Sequence, residues 1–247
     1  MIMNMLKASE VIEIFLNYDI SNVKDQSKYE ISELDGITNT SFVVQVDNKK
    51  FVLRIPGENP DVINRLSEKY NTKKAEEYGL TLPCLIFDED TGIKISEFFD
   101  IYTYKAADFK NKNMRNSAFN VLNKLHKSDL TFKNNFSPMN VFKEIADISV
   151  SIEEEAKEVG IKIVNKLNEI GISNHPCHQD LYAGNFVLYN DATYLIDWEY
   201  SSMGDSYFDF ADLFWQNEFD FDKNLRNEAL NEIGISKEDE IDKFEIF

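Results

Sequence analysis

The alternation of apolar and polar positions divides the chain into a β-rich first part and a mainly helical second part. In the first part, β-branched and aromatic residues alternate with polar ones in three segments, at residues 28–34, 40–46 and 49–55. Such alternation is typical of strands with one buried face. The short connections between the segments contain Gly, Asn and Asp, so we predict an antiparallel three-stranded sheet.

Helices and two further strands are predicted around this sheet. Residues 1–20 carry acidic residues at helical spacing between apolar positions, which predicts an amphipathic first helix. A second helix is predicted from about Asp61 to Tyr78, with Gly79 as its C-terminal cap. Residues 84–98 contain an Asp-Thr-Gly turn between two apolar runs and predict two more strands.

From residue 102 onward the apolar residues recur at helical spacing, which predicts helices at residues 117–128 and 150–170 and again after residue 205. A non-helical insertion at residues 175–200 interrupts them, in which a polar loop leads into two short strands joined by Asn190 and Asp191. The predicted fold class is therefore α+β, with two lobes.

Composition and charge exclude some classes of function. The 247 residues include 26 Lys and Arg against 44 Asp and Glu, a formal net charge of -18, which argues against a nucleic-acid partner. An acidic surface suits a cationic small molecule, but the composition favours the simpler explanation that the charge keeps the protein soluble. No apolar run approaches the ~20 residues that span a bilayer, so we expect no membrane insertion. Cys84 and Cys177 lie far apart in apolar surroundings, as packing thiols of a cytoplasmic protein do.

The insertion contains the residues that favour a specific chemistry. His178, Asp180 and Asn185 form an H-x-D-x-x-x-x-N loop, and Asp197 follows after a short strand. Phosphoryl transfer needs a carboxylate near the attacking hydroxyl and oxygen ligands that hold Mg²⁺ against the phosphates. We predict that Asp180 orients the hydroxyl and accepts its proton, and that Asn185 and Asp197 hold the metal. His178 is expected to brace the loop through hydrogen bonds.

Simpler explanations exist for each of these residues taken singly. Loops commonly use His, Asp and Asn for turn-making hydrogen bonds, and an Asp at a strand end is often a cap. Their order, in a helix-loop-strand-turn-strand context, favours the kinase-like site. Zinc binding by His126, His175 and His178 is disfavoured, because no pair has a spacing typical of a zinc site.

With these motifs the chain resembles the choline/ethanolamine kinases, especially the bacterial choline kinases, within the aminoglycoside-phosphotransferase-like branch of the protein-kinase-like superfamily. The similarity covers nearly the whole chain and runs through "DGITNTSFVVQV", "FVLRIPG", "INRLSE", "GIKISEF", "HQDLYAGNF" and "LIDWEYSSMGDSYFDFADL". It implies a two-lobed kinase-like fold, with a nucleotide-binding lobe at residues 1–99 and a catalytic and acceptor-binding lobe at residues 100–247. It also implies ATP and Mg²⁺ as cofactors, and the hydroxyl of a small amino alcohol, first of all choline, as the acceptor.

The resemblance assigns further residues to the nucleotide. It makes Asp180 the catalytic base and gives Arg54 the phosphate-contacting place, with Glu68 as its helix partner; a guanidinium suits phosphate oxygens. The remaining residues belong to a turn over the phosphates and to a hinge whose backbone reads adenine: Thr38, Asn39, Thr40, Glu97 and Phe98.

The acceptor pocket implied by the resemblance combines aromatic faces with an acid. Tyr200 matches a family position near the acceptor, and Trp198 and Trp215 are further aromatic candidates for cation–π contacts. Glu199 is a nearby acid that is expected to assist the metal site. Gln216 falls where some family members carry a choline-facing Glu, so this chain departs from the family there. Relatives usually continue with further helices, so we expect the chain to be truncated at its C-terminus.

Other acceptors and one other class of function stay open at this stage. Ethanolamine, an aminoglycoside and thiamine are alternative acceptors within the same fold. A non-catalytic nucleotide-binding relative is the alternative class, and the complete set of Asp180, Asn185 and Asp197 argues against it. The sequence leaves the oligomeric state open, because acceptor pockets and interfaces are built from variable helices and loops.

Overall fold

A computed structural model describes residues 6–34, 39–57, 63–137 and 154–247 of the chain. The chain divides into two compact units. The first comprises residues 1–69 and 83–100, and the second comprises residues 70–82 and 101–247. The sequence places one boundary after residue 99, whereas this division also assigns the segment 70–82 to the second unit.

The first unit is an antiparallel sheet covered by a helix. Its described elements are α1 (Ala8–Leu16), β1 (Glu30–Leu34), β2 (Thr40–Val46), β3 (Lys49–Ile55), β4 (Ile86–Phe87) and β5 (Lys94–Glu97). The strands form one sheet in the order β1-β2-β3-β5-β4, so the two strands predicted after the second helix join the three predicted before it. Apolar residues of α1 and the sheet, including Phe15, Val44 and Leu53, form the core of this unit.

Helix α2 spans Arg65–Glu77, and each of its ends has a local cause. The predicted start at Asp61 lies outside the described residues, and the helix begins later because Asn64 caps it. The Asn64 side chain accepts a hydrogen bond from the Ser67 amide at 3.0 Å, which satisfies one of the donors that a helix N-terminus exposes. Gly79 follows the helix at φ 61° and ends it, as predicted, because glycine adopts this left-handed conformation without strain.

The second unit is mainly helical. Its described helices are α3 (Lys112–His126), α4 (Glu154–Ile170), α5 (Ser206–Gln216), α6 (Lys223–Ile233) and α7 (Glu238–Ile246). The predictions of α3, of α4 and of a helix after residue 205 are confirmed, although the predicted start of α4 at residue 150 lies outside the described residues. Buried aromatic and aliphatic side chains such as Phe109, Leu122, Trp198 and Phe214 form its core.

Short strands in the second unit frame the polar loops. These strands are β6 (Tyr102–Thr103), β7 (His175–Cys177), β8 (Phe186–Tyr189), β9 (Ala192–Leu195) and β10 (Ser202–Gly204). The predicted β8–β9 hairpin is confirmed, and Asn190 and Asp191 both have positive φ, as its two-residue turn requires. β7 pairs with β10, and β6 pairs with β8. The sequence did not indicate β6, β7 or β10, because two or three residues are too few to show an alternation.

The structure bears on two expectations from the sequence, one about membrane insertion and one about the two cysteines. None of the helices in the described ranges combines the length and apolarity needed to cross a membrane. Cys84 and Cys177 form no disulfide, and the Cys84 thiol lies 2.9 Å from the Ile86 carbonyl. Cys177 is fully buried, and burial raises the pKa of its thiol far above the ordinary range.

Candidate active site

Asp180 and Asn185 contact each other directly in the loop between β7 and β8. The Asn185 side-chain amide donates to the Asp180 backbone carbonyl at 2.8 Å and to its carboxylate Oδ2 at 2.9 Å. Asn185 is 1% exposed, so its amide has a fixed place. The bond to Oδ2 orients the Asp180 carboxylate, and the two bonds together leave the side-chain oxygen of Asn185 as the atom that it could offer to a cation.

A buried carboxylate on α5 holds the backbone at the start of this loop. Asp209 is fully buried and accepts hydrogen bonds from the amides of His178 at 2.9 Å and Gln179 at 2.8 Å. The His126 ring nitrogen Nε2 lies 2.8 Å from the same carboxylate. Gln179 has φ 65°, a conformation that costs a non-glycine residue energy and persists where its surroundings enforce it. Asp209 therefore fixes the backbone that leads into Asp180.

A second carboxylate on α5 holds the next part of the loop. Asp212 accepts a hydrogen bond from the Leu181 amide at 2.6 Å through Oδ2. The Gln216 side-chain amide donates to Asp212 Oδ1 at 2.9 Å and reaches Asp180 Oδ1 at 3.3 Å. Burial raises the pKa of Asp212, and the negative charges of Asp209 and Asp180 add to this rise, against the lowering effect of its hydrogen bonds.

His178 braces the loop from its other side, as the sequence predicted. Its ring is fully buried, and Nε2 lies 2.9 Å from the backbone carbonyl of Ile196. The ring also packs edge-on against Trp198, with 4.8 Å between the ring centroids. The contact joins the loop to the segment that carries Asp197.

The β8–β9 hairpin brings the backbone that leads into Asp197 next to Asn185. The Ile196 amide donates to the Asn185 carbonyl at 3.0 Å, directly before Asp197. Asp197 has φ 67°, a second strained position in this region. Carboxylate oxygens of Asp197 and Glu199 approach within 4.8 Å of each other. An amide oxygen and two carboxylates are the hard oxygen ligands that Mg²⁺ accepts, so these residues fit the predicted ion.

In the first unit, the buried carboxylate of Glu68 forms ion pairs with two cationic side chains. Glu68 is 1% exposed and pairs with Arg65 Nη1 at 2.7 Å and with the Lys94 ammonium. Lys94 lies directly opposite Arg54 in the β3–β5 register, so both side chains lie on the same face of the sheet. The sequence singled out Arg54 and Glu68 but missed Lys94 and Arg65 as partners of Glu68.

The remaining residues predicted for the nucleotide site belong to the first unit. Asn39 is half-buried and Thr40 begins β2, while Thr38 lies outside the described residues. Glu97 ends β5 and is exposed; Phe98 follows it and is 37% exposed. The Phe98 amide already donates to the Lys50 carbonyl at 2.9 Å. A role of this hinge in binding adenine stays a prediction.

The sequence profile of the choline/ethanolamine kinase family matches residues 31–244. The chain belongs to the choline/ethanolamine kinase family. This match confirms the family resemblance drawn from the motifs, and it includes the loop of Asp180 and the first-unit residues Arg54, Glu68 and Lys94.

Relatives and solved structures agree with this assignment. The LicA protein of Haemophilus influenzae is 30% identical over 195 residues, which cover 75% of this chain and 58% of that protein. The chain thus spans less than two thirds of the length of that relative. The crystal structure of choline kinase LicA from Streptococcus pneumoniae superposes with a TM-score of 0.79 at 25% identity, covering 96% of this chain and 84% of that one. A crystal structure of LicA in complex with AMP gives a TM-score of 0.79 at 26% identity with the same coverage. The predicted two-lobed kinase-like fold is confirmed.

The aromatic residues predicted to bind the acceptor of this family member lie in different environments. Trp198 is 1% exposed and packs against His178 and Phe132, and its predicted contact with the acceptor stays a prediction. Tyr200 is 46% exposed and directly follows the acidic segment. Trp215 is 74% exposed and lies in a surface groove that also includes Phe214, Phe244 and Phe247.

Sequence reasoning missed Asp209 and Asp212 on α5, which hold the loop of Asp180, and it assigned Gln216 to the acceptor pocket instead. Asp205, Asp209, Asp212 and Gln216 follow one another at intervals of four, three and four residues, which places them on one face of a helix. We call them the polar stripe of α5. The signal in the sequence was the row of three acids along a segment that is otherwise apolar. Carboxylates on a buried face need hydrogen-bond donors, so such a row indicates that another part of the chain supplies them.

Proposed function

We propose that the chain is an ATP- and Mg²⁺-dependent phosphotransferase that acts on the hydroxyl of a small amino alcohol, first of all choline. The observation that carries this proposal is the contact between Asp180 and Asn185 on a loop whose backbone is anchored to buried carboxylates of α5. A relative that binds AMP supports an adenine nucleotide as the donor.

Asp180 is the group that acts on the acceptor. Its carboxylate accepts the proton of the attacking hydroxyl, and the Asn185 amide keeps it turned toward that hydroxyl. His178 and Asp209 act by holding the loop, so that the carboxylate does not have to be ordered during the reaction.

The nucleotide phosphates require positive charge and oxygen ligands. Asn185 and Asp197 would hold Mg²⁺, with Glu199 beside them, and the ion supplies positive charge to the phosphate oxygens when it is bound. Arg54 and Lys94 add fixed cations on one face of the first-unit sheet. Glu68 orders the Lys94 side chain through their ion pair.

Choline is the first acceptor to test because the solved relative from Streptococcus pneumoniae is named a choline kinase. The net charge of -18 and the exposed ring of Tyr200 suit a quaternary ammonium, which binds aromatic faces through cation–π attraction. Ethanolamine, thiamine and aminoglycosides are the alternative acceptors. Two cysteines without a disulfide suit a location in a reducing cytoplasm.

The test of this function is ADP release with Mg²⁺-ATP in the presence of choline, ethanolamine, thiamine or an aminoglycoside, compared with the acceptor-free rate. Mass spectrometry of the acceptor then identifies the phosphomonoester. Choline phosphate formation supports the proposal, and formation of another phosphomonoester changes only the acceptor. Nucleotide binding without any phosphorylated product would instead support the non-catalytic alternative.

The acceptor assignment has its own test in Tyr200→Leu. Removal of one aromatic face should raise the choline KM by about 5–30-fold, the equivalent of ~1–2 kcal/mol, with little change in the ATP KM. Steady-state kinetics with both substrates varied measure this. Tyr207→Leu is a control elsewhere on the second unit, since that ring lies beside Lys243. An unchanged choline KM in Tyr200→Leu takes this residue out of the pocket.

A further inference from the structure

The side-chain amide of Gln216 lies between two carboxylates at the end of α5. Its Nε2 is 2.9 Å from Asp212 Oδ1 and 3.3 Å from Asp180 Oδ1. A primary amide carries two hydrogens on this nitrogen, so one can point to each carboxylate. Gln216 thus connects the helix to the side chain of Asp180, whereas the other contacts of the helix with this loop hold its backbone.

The contact completes the support of the Asp180 carboxylate. Asn185 donates to Oδ2 at 2.9 Å, and Gln216 approaches Oδ1 from the helix. Asp212, to which Gln216 is tied, is itself fixed by the Leu181 amide at 2.6 Å. Both oxygens of Asp180 therefore have a neutral donor, the buried amide of Asn185 on one side and the exposed amide of Gln216 on the other.

We propose that Gln216 is a positioning residue for Asp180, and that it does not select the acceptor. The proposal rests on the proposed function, in which Asp180 receives the proton of the acceptor hydroxyl. The Gln216 Nε2 contacts both carboxylates, so its two hydrogens are engaged there and only Oε1 is left to face a substrate.

The charge around Gln216 explains why an amide fits this place better than a carboxylate. Asp180, Asp209 and Asp212 already lie close together, and burial together with the charges of Asp209 and Asp180 raises the pKa of Asp212. A Glu at position 216 would add a fourth negative group and would remove both donors. Like charges at this distance repel strongly in a partly buried site. The neutral amide binds Asp180 and Asp212 without adding charge.

The first experiment compares Gln216→Ala and Gln216→Glu with the wild type in steady-state kinetics, using the acceptor that the wild type phosphorylates. Gln216→Ala should lower kcat by about 5–20-fold, the range expected for one hydrogen bond to a charged group. The KM values for acceptor and ATP should stay within about twofold, because the lost contact acts on Asp180 and not on either substrate. Gln216→Glu should lower kcat further. A higher acceptor KM at unchanged kcat in Gln216→Ala, or a lower acceptor KM in Gln216→Glu, would overturn the proposal.

A charge-swap variant distinguishes two roles of Gln216: positioning the Asp180 carboxylate, and only linking positions 212 and 216 within α5. In Asp212→Asn combined with Gln216→Glu, the new Asn can accept from the Leu181 amide and donate to the new Glu, so the link between the two helix positions is restored. Asp180, however, then faces a carboxylate in place of a donor. We expect the melting temperature to recover relative to each single variant while kcat stays low. Recovery of kcat to within about twofold of the wild type would show that only the link within α5 matters, and it would overturn the proposal.

The contact between Gln216 and Asp180 can also be tested without measuring catalysis, so that its failure can be distinguished from failure of the proposed function. In NMR spectra of the ¹⁵N-labelled full chain, the side-chain amide signals of Gln216 are assigned by their loss in Gln216→Ala. Asp180→Ala should shift these signals, whereas Asp191→Asn in the β8–β9 turn should leave them in place. Unmoved signals in Asp180→Ala would overturn the contact even if the chain phosphorylates choline. A shift in a chain that phosphorylates no acceptor would support the contact while the proposed function fails.

Discussion

Glu68 in the first unit and Asp209 in the second are both almost fully buried carboxylates, but their partners differ in kind. Glu68 pairs with the charged ends of Arg65 and Lys94. Asp209 accepts hydrogen bonds from the backbone amides of His178 and Gln179 and lies against the ring of His126. One carboxylate orders long side chains, and the other orders a stretch of backbone.

This difference affects what each carboxylate can control. Lys and Arg side chains have many rotamers, so the loss of one ion pair leaves alternatives that keep part of the interaction. A backbone amide has one position for a given chain path, and a buried amide that loses its acceptor costs free energy in full. Changes around Glu68 should therefore alter ligand affinity, and changes around Asp209 should alter the loop itself and with it the rate.

The largest effect is expected for Asp180→Asn. General-base loss typically lowers turnover by about 10²–10⁴-fold, whereas the ATP KM should stay near the wild-type value because phosphate binding is carried out elsewhere. Rates of ADP release at saturating acceptor measure this change. The matched control is Asp191→Asn, at an exposed turn position with positive φ that Asn adopts readily. Near-normal turnover in Asp180→Asn would exclude this residue as the base.

Asp209→Asn tests the anchoring of the loop and should have the next largest effect. The amide presents a donor where the loop needs an acceptor, so we expect a loss of about 2–4 kcal/mol in the free energy of unfolding. Turnover of the folded fraction should also fall, by roughly 10–100-fold, since the loop carries Asp180. Urea unfolding followed by circular dichroism gives the first quantity, and kinetics below the transition give the second. Full activity with reduced stability would mean that the loop keeps its path without this anchor.

Lys94→Met tests the first-unit cluster and should act mainly on the nucleotide. Removal of one cation beside Arg54 should raise the ATP KM by about 5–20-fold, with kcat within about threefold, because a contact of similar strength in ground and transition states is lost. Lys24→Met is the control, as this lysine is largely exposed and pairs with the exposed Asp19 at 3.5 Å. If kcat falls as strongly as in Asp209→Asn, the proposed contrast between the two carboxylates is wrong.

The smallest effect concerns Asp205, the acid that begins the polar stripe. Burial tends to raise the pKa of Asp205, but the Lys243 ammonium at 2.6 Å and the amides of Ser173 and Tyr207 outweigh it and lower the pKa. A lowered pKa means that the ionised form stabilises the fold above the unfolded-state value of about 4, and that this stability is lost as the pH falls through the lower folded-state pKa.

Lys243→Met should therefore lower the free energy of unfolding at pH 7 by about 1–3 kcal/mol. Its difference from the wild type should shrink as the pH falls from about 4 through the lowered pKa of Asp205, because Asp205 is protonated in both proteins only below that pKa. Melting temperatures between pH 3 and pH 7 check this, with the exposed Lys237→Met as the control. A difference that does not depend on pH would assign the effect to packing of α7.

Much of the fold could be read from local patterns. The strands β1 to β3, the β8–β9 hairpin and the helices α1 and α3 have a periodicity or a turn that is specific enough to predict them. Strands of two or three residues could not be predicted this way, because they are stabilised by pairing with another strand that is distant in the sequence. The start of α2 depended on one capping side chain, Asn64, for the same reason.

The sequence by itself determined the family and the residues predicted to carry the chemistry, which are the loop with His178, Asp180 and Asn185 and the acid at Asp197. Only the tertiary structure decided which residues hold them in place. Asp209, Asp212 and Gln216 are about 30 residues further along the chain, and Lys94 faces Arg54 only through strand pairing. The physical reason is that a reactive group is limited by its own chemistry and can be recognised by type and spacing. A supporting group needs only a donor, an acceptor or a charge at the right point in space, and many sequences can place one there.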